Sequence, residues 1–284
     1  MIQSLPTIKR RIRSIDNTRK ITHAMEMVSA AKLGRVKNTL FSSAPFFTKL
    51  EYVLYDFLEN NEGVSHPFLR TRSPAKNIAI CIIASDTGLC GTYNHNVFNR
   101  ADEFIASLSD KNVKLVIVGK EAQNYFKDKG YEVIESFTEI HGRYTDKLSA
   151  KLCTCLENIY LNGIADEVHI VYSHFDNMLR HRPVVDKFLN IKVNKKNSMD
   201  YITEPSANEL AGRLINTYLS EVIRMILLYT LTSEHAARMI AMRSASDNAD
   251  DILSELILFR NKVRQAAITK EVIEAASVRE ALEE

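Results

Sequence analysis

The sequence predicts an α/β fold combined with long helices: an antiparallel coiled coil of N- and C-terminal helices with an α/β domain inserted between them. Three observations carry this. Glycine and proline are scarce, 9 and 6 in 284 residues, and Gly212 and Pro205 are the last of each, which leaves 213–284 without a breaker. Between positions 7 and 59 only Gly34 and Pro45 interrupt a helical text. Between these ends, short β-branched apolar runs alternate with helix-like segments, the grammar of a layered domain with a largely parallel sheet.

The N-terminal helix is placed at 1–60. Ile8, Ile12, Ile15, Ile21, Met25, Val28, Leu33, Val36 and Leu40 recur mostly in steps of three and four, with Thr18 and Ala31 filling gaps. The basic, Ser/Thr-containing start resembles a targeting presequence in composition, yet the periodicity continues without a change of register, so the segment reads as structural helix from the outset. The α/β domain is placed at 75–200. Its strands are read at 77–85, 113–119, 131–137, 167–173 and 184–193, and its helices at 95–109, 120–129 and 145–162, a Rossmann-like alternation. The C-terminal helix is placed at 206–284. Its breaker-free 213–284 stretch would reach roughly 108 Å at about 1.5 Å per residue. Met242, Ala245, Ala249, Ile252, Leu256, Phe259, Val263, Ala266, Lys270 and Ile273 form a heptad seam in it with one polar break. Residues 1–40 carry nine Lys/Arg against two acids and residues 250–284 five against eight, so the terminal helices have opposite signs and are expected to pair.

Composition removes several classes. With 45% hydrophobic and 25% charged residues the chain can bury a core, and a net charge of +2 gives no bulk case for nucleic-acid binding. No apolar run reaches 18 residues, so the chain is not expected to span a bilayer. Cys81, Cys90, Cys153 and Cys155 show no disulfide framework and read as reduced thiols; Cys153 and Cys155, two apart on a helix, point to different faces and suit no shared metal. No cofactor or metal is expected.

SDTGLCGTYNHN (85–96) lies between a strand and a helix, where a phosphate loop would sit. It has Gly88 and Gly91 but no glycine-rich fingerprint and no phosphate-reaching lysine. A tight turn is expected, with glycines relieving crowding and Asp86 or Thr87 bonding turn amides. His174 and His181, with Asp176, read as solvated loop residues, since their spacing fits no recurrent ligand motif.

Three stretches are more distinctive: ITHAMEMVSAAKLGRVK (21–37), SEHAARMIAMRSASDNADD (233–251) and LILFRNKVRQAAITKEVIE (256–274). They resemble the signature helices of the γ subunit of F-type ATP synthase, the central rotor shaft. TGLCGTYN (87–94) resembles that family's loop after the first strand, with Thr92 where many relatives have glycine, and YITEP (201–205) the segment entering its C-terminal helix.

The resemblance implies a non-catalytic shaft that couples ion flow through a membrane c-ring to ATP synthesis or hydrolysis at three β subunits. Its implied partners are the α and β subunits in a 3:3 ring, the ε subunit and the c-ring, with no nucleic acid and with membrane association only through the complex. The implied place is the cytoplasmic face of the bacterial inner membrane. The start directly at the shaft helix leans bacterial, and no dithiol insertion for redox gating is present. Residue by residue, it implies β-subunit contacts at Met25, Arg238, Arg264, Gln265 and Thr269. Arg238, in an Ala-rich helix, is read as reaching outward to a partner. Tyr201 and Glu204 match the foot on the c-ring, and Lys32, Arg35 and Lys37 are assigned to the same end.

Two rivals stay open on the residues alone. A stand-alone α/β enzyme with coiled-coil dimerisation arms would bind a nucleotide at Gly88–Asn96. A scaffold using its basic N-terminal segment on nucleic acid or anionic lipid would bind in a salt-sensitive way.

Overall fold

The computed structural model describes residues 5–61, 63–192, 204 and 206–283, the last six by backbone alone. Its elements are α1 (Leu5–Asn60), a short 3-10 turn (Pro67–Leu69), β1 (Asn77–Ile83), α2 (Tyr93–Ala106), β2 (Asn112–Val118), α3 (Lys120–Phe126), β3 (Glu132–Phe137), α4 (Asp146–Leu161), β4 (Glu167–Phe175), β5 (His181–Leu189) and α5 (Ala207–Glu283). Two compact units emerge: Met1–Val28 with Met239–Glu284, and Ser29–Arg238.

In the larger unit the sheet has the order β3-β2-β1-β4-β5, the first four strands parallel and β5 antiparallel to β4. Alternate residues of β1 serve opposite faces. Ile78, Ile80 and Ile82 pack with Val97, Phe98 and Ala101 of α2 and Phe126 of α3. Ala79, Cys81 and Ile83 belong to a second core with Leu152 and Leu156 of α4, Leu54 and Phe57 of α1, and Ile215, Leu219 and Ile223 of α5. Burial on both faces is why β1 reads as an unbroken apolar run. Thr145 caps α4, its hydroxyl accepting from the Leu148 amide at 3.3 Å. Gly119, between β2 and α3, has φ of +99°, and a Cβ there would lie 2.3 Å from the Ala84 carbonyl oxygen, so only glycine fits.

The second half of α1 and the first part of α5 run antiparallel. Phe47 stacks on Tyr218 at 6.0 Å, while Lys32, well before it on α1, lies within electrostatic reach of Glu234, well beyond Tyr218 on α5. Among the described residues α5 is the one helix long and apolar enough to cross a membrane; 56% of its most apolar window is buried, as suits a core helix.

The buried seam differs from the expected one. On α5 it runs Met242, Ser246, Ala249 and Leu253, then half-buried Leu256, Arg260, Val263 and Ala267. The expected Met242, Ala249, Leu256 and Val263 are on it, but Ile252 and Phe259 are 43% and 42% exposed, and Lys270 and Ile273 are exposed as well. On α1, Thr22 and Ser29 are buried where Ile21 and Val28 were expected, these being 61% and 56% exposed. Steps of three-then-four and four-then-three fit the same heptad, and the two stripes differ by one residue. The stripe that buries is the one with small or flexible side chains, which permits close helix approach and turns a second, bulkier apolar stripe outward. Among the described residues an ion pair joins the helices of the smaller unit: Arg19 holds Asp250 at 2.8 Å while also meeting Asp16 at 2.9 Å.

Candidate functional site

The densest polar arrangement is buried, at the carboxyl ends of β1, β2 and β3. Arg238 of α5 is 7% exposed. Its Nη2 donates to the Thr87 carbonyl at 2.9 Å and to Thr87 Oγ1 at 3.0 Å, and its Nε donates to the Gly88 carbonyl at 3.3 Å. Its Nη1 meets Glu234 Oε1 at 2.8 Å and His235 Nδ1 at 3.4 Å. This corrects the outward reading of Arg238: its partners are carbonyls of its own chain, some 150 positions away, and a carboxylate one turn back. His235 Nε2 lies 2.8 Å from the Gly142 carbonyl. The network thereby assigns the neutral tautomer, Nε2–H donating and Nδ1 accepting from Arg238. Asp86 ties neighbouring loops together, accepting from the Lys120 amide at 3.1 Å and the His141 amide at 2.7 Å.

Burial raises the Glu234 carboxyl, opposed by Arg238, and burial lowers His235 to about 4, opposed by its bond to Gly142. Burial also raises the thiol of Cys90, which packs with Tyr93 and Ala237 against α5. The expected crowding at Gly88 is absent, for a Cβ there would meet nothing within 4 Å; the left-handed positions are Leu89 (φ 61°) and Gly91 (φ 60°). This loop turns carbonyls toward Arg238, and its Ser85 amide is taken by Asn94 Oδ1 at 3.2 Å, so it is not shaped as the phosphate cradle the enzyme alternative requires.

The remaining candidates are dispersed. Met25 is half-buried on α1, and Arg264, Gln265 and Thr269 are exposed on α5, the Thr269 hydroxyl donating to the Gln265 carbonyl at 2.9 Å. Lys32 donates to the His141 carbonyl at 3.3 Å and, with Arg35, Arg143 and Tyr144, lines a groove of about 380 Å³; Lys37 sits over the Phe41 ring. Glu204 is exposed, and Tyr201 lies outside the described residues.

The assignment of Lys32, Arg35 and Lys37 to the Glu204 end is corrected. Lys32 lies within electrostatic reach of Glu234, which is more than seven helical turns, roughly 40 Å, along α5 from its start, and Arg35 and Lys37 follow Lys32 within two turns of α1. The pair His174 and His181 is also not loop-borne: His174 on β4 stacks on Tyr229 at 4.2 Å, and His181 opens β5. Among the described residues no group of three or more His, Cys, Asp or Glu is placed to hold a metal. The signal that could have found the cluster is the spacing of Glu234 and Arg238, an i,i+4 pair with no other Asp, Glu, Lys or Arg between Arg224 and Arg243.

Two long helices that pair, with an α/β domain inserted between them in the chain, define the class: a coiled-coil protein carrying an inserted α/β domain. The ATP synthase family model matches residues 4–282. The ATP synthase gamma chain of Protochlamydia amoebophila is 36% identical over 283 residues, covering 98% of this chain and 99% of the relative. That of Desulforamulus reducens is 36% identical over 280 residues, covering 97% and 98%. In fold, the chain is similar to one in the Euglena gracilis mitochondrial ATP synthase OSCP/F1/c-ring structure, at TM-score 0.70 and 14% identity, over 98% of this chain and 94% of that one. A chain of the Tetrahymena thermophila central stalk and c-ring gives 0.61 and 20%, over 80% and 99%. The chain belongs to the ATP synthase gamma chain family and is a central-stalk subunit of that membrane-associated complex.

Proposed function

We propose that the chain is the non-catalytic rotor of an ion-translocating ATP synthase, one copy standing in a ring of three α and three β subunits, with ε and the c-ring at its foot, on the cytoplasmic face of a bacterial inner membrane. Coupling then works by differential contact. Each rotor angle stabilises one β conformation over the others, so rotation becomes a change in nucleotide affinity without a reacting group on the rotor. The observation that carries this is the outward apolar stripe: Ile21, Val28, Ile252 and Phe259 are exposed while Thr22, Ser29 and Leu253 beside them are buried, as suits helices whose outer faces meet other subunits. Met25, Arg264, Gln265 and Thr269 are the contacts proposed toward β, and Tyr201 and Glu204 those toward the c-ring. The domains of this reading are the helices 1–60 and 206–284 with the α/β domain 75–200. Native mass spectrometry of the membrane-extracted complex tests the reading: three α and three β per copy of this chain are expected, and a homodimer of this chain that binds nucleotide would replace the rotor with the enzyme alternative.

A further inference from the structure

We propose that Arg238 is a positioning residue that locks the 207–238 part of α5 to the α/β domain, so that this part of the helix and the domain turn as one body; the inference rests on the rotor reading. In open α/β sheets, ligands settle outside the carboxyl ends of the parallel strands. Here that place is taken by the chain's own helix. Thr87 and Gly88 follow β1, Lys120 follows β2, and His141 and Gly142 follow β3, three neighbouring strands in the order β3-β2-β1. Asp86 staples these loops to one another through the Lys120 and His141 amides. Arg238 and His235 then fasten the stapled loops to α5 through the Thr87, Gly88 and Gly142 carbonyls. The fit at Gly142 is close, since a Cβ there would come to 2.9 Å from the His235 ring.

Apolar packing between a helix and a sheet resists separation but has no direction, so packed surfaces can slide when twisted. A guanidinium is a rigid planar fork, and its donors here reach acceptors on the loop and on its own helix, which fixes the angle between them. Burying an arginine and a carboxylate costs desolvation that a well-packed apolar pair would avoid. That such a pair sits at this junction fits a demand for orientation more than for adhesion. Two further links point the same way: Ser233 Oγ donates to the Ser173 carbonyl of β4 at 3.2 Å, and the Tyr93 hydroxyl of α2 to the Thr230 carbonyl at 3.4 Å.

The test uses the assembled ATP synthase carrying Arg238→Lys, or Arg238→Met with Glu234→Gln, which keeps bulk and leaves no bare buried charge. Iodoacetamide labelling of Cys90, buried in the clamped loop, reports loop opening, with fully buried Cys81 as the internal control. Ions pumped per ATP hydrolysed report torque transfer. The double variant should label Cys90 about tenfold faster, as expected when a charge-assisted bond no longer opposes local opening, with Cys81 unchanged. It should also pump fewer ions per ATP, and Arg238→Lys should recover part of both. Unchanged Cys90 labelling overturns the lock, and faster labelling with parental pumping per ATP removes it from the path of torque. If the double variant does not assemble, Thr87→Val, which removes only the hydroxyl acceptor, carries the same readouts with the same two overturning results. A parent complex that contains this chain yet couples no pumping to hydrolysis would sink the rotor reading instead.

Discussion

His235 makes its two bonds only as a neutral ring. Protonation would set an Nδ1–H against the Arg238 Nη1 donor, and besides Arg238 the groups facing it are Lys32 and Glu234. Burial lowers its pKa from 6.5 to about 4. Between those values the unfolded chain binds more protons than the folded one, so the stability this residue contributes is complete above pH 6.5 and falls as the pH drops, by roughly 3 kcal/mol at the acid end. Glu234 acts in the opposite sense. Its raised carboxyl binds more protons folded than unfolded, so its contribution is lost as pH rises through the folded value. His235→Gln keeps an amide donor for Gly142 and removes the imidazole titration. Denaturant melts at pH 7 and pH 5 should show the parent losing about 2 kcal/mol more than the variant on this account; equal losses would assign the acid sensitivity elsewhere. The glycines of the same neighbourhood give a sharper contrast. Gly119→Ala meets both a φ of +99° and the Ala84 carbonyl and should cost about 3 kcal/mol or more, whereas Gly88→Ala, in open space, should stay within about 0.5 kcal/mol. Similar midpoints for the two would refute the assignment of Gly119 as the required glycine.

At the scale of elements, what was legible follows from which forces are local. The five strands lie within about four residues of their expected bounds, because β-branched runs bounded by turn residues are a local signal. The last breakers likewise placed α5, with Gly212 absorbed into its first turns. The seam was legible as a heptad but not in phase, since the choice between adjacent stripes belongs to the partner helix, more than 200 positions away. Arg238 was misread for a related reason. Its acceptors are backbone carbonyls of Thr87 and Gly88, and a carbonyl leaves no trace in a sequence. The phase has a measurable consequence in the free chain. Leu253→Ala removes a buried seam residue and should cost about 2 to 4 kcal/mol, whereas Ile252→Ala, trimming a partly exposed side chain, should cost well under 1 kcal/mol. Thermal melts of the two variants check this, and the reverse ranking would restore the stripe first read from the sequence.

For the molecule as a whole, the same exposed stripe decides how stability is shared between chain and assembly. The larger unit has two cores around a five-stranded sheet, while on the α5 part of the smaller unit every described residue from 268 to 277 is exposed. A long helix without a buried face gains little beyond its own hydrogen bonds, which are marginal in water. Binding to a surrounding ring would add free energy to the folded state alone, and most where the chain is barest. Hydrogen exchange should therefore find the amides of 260–277 poorly protected in the isolated chain and strongly protected in the complex, while those of β1 and β4 change little. Arg264→Ala and Gln265→Ala separate support from signalling within that segment. Both side chains are exposed, so their loss should leave the free chain's melt within about 0.5 kcal/mol. In the complex, charge-assisted contacts from Arg264 and bonds from Gln265 would be made at some rotor angles and broken at others. Their removal should then alter the ratio of ATP-driven pumping to ATP turnover while the complex still assembles. Variants that assemble and match the parent in both rates would return these two residues to the solvated face of the coiled coil, leaving the apolar stripe as the contact with the ring.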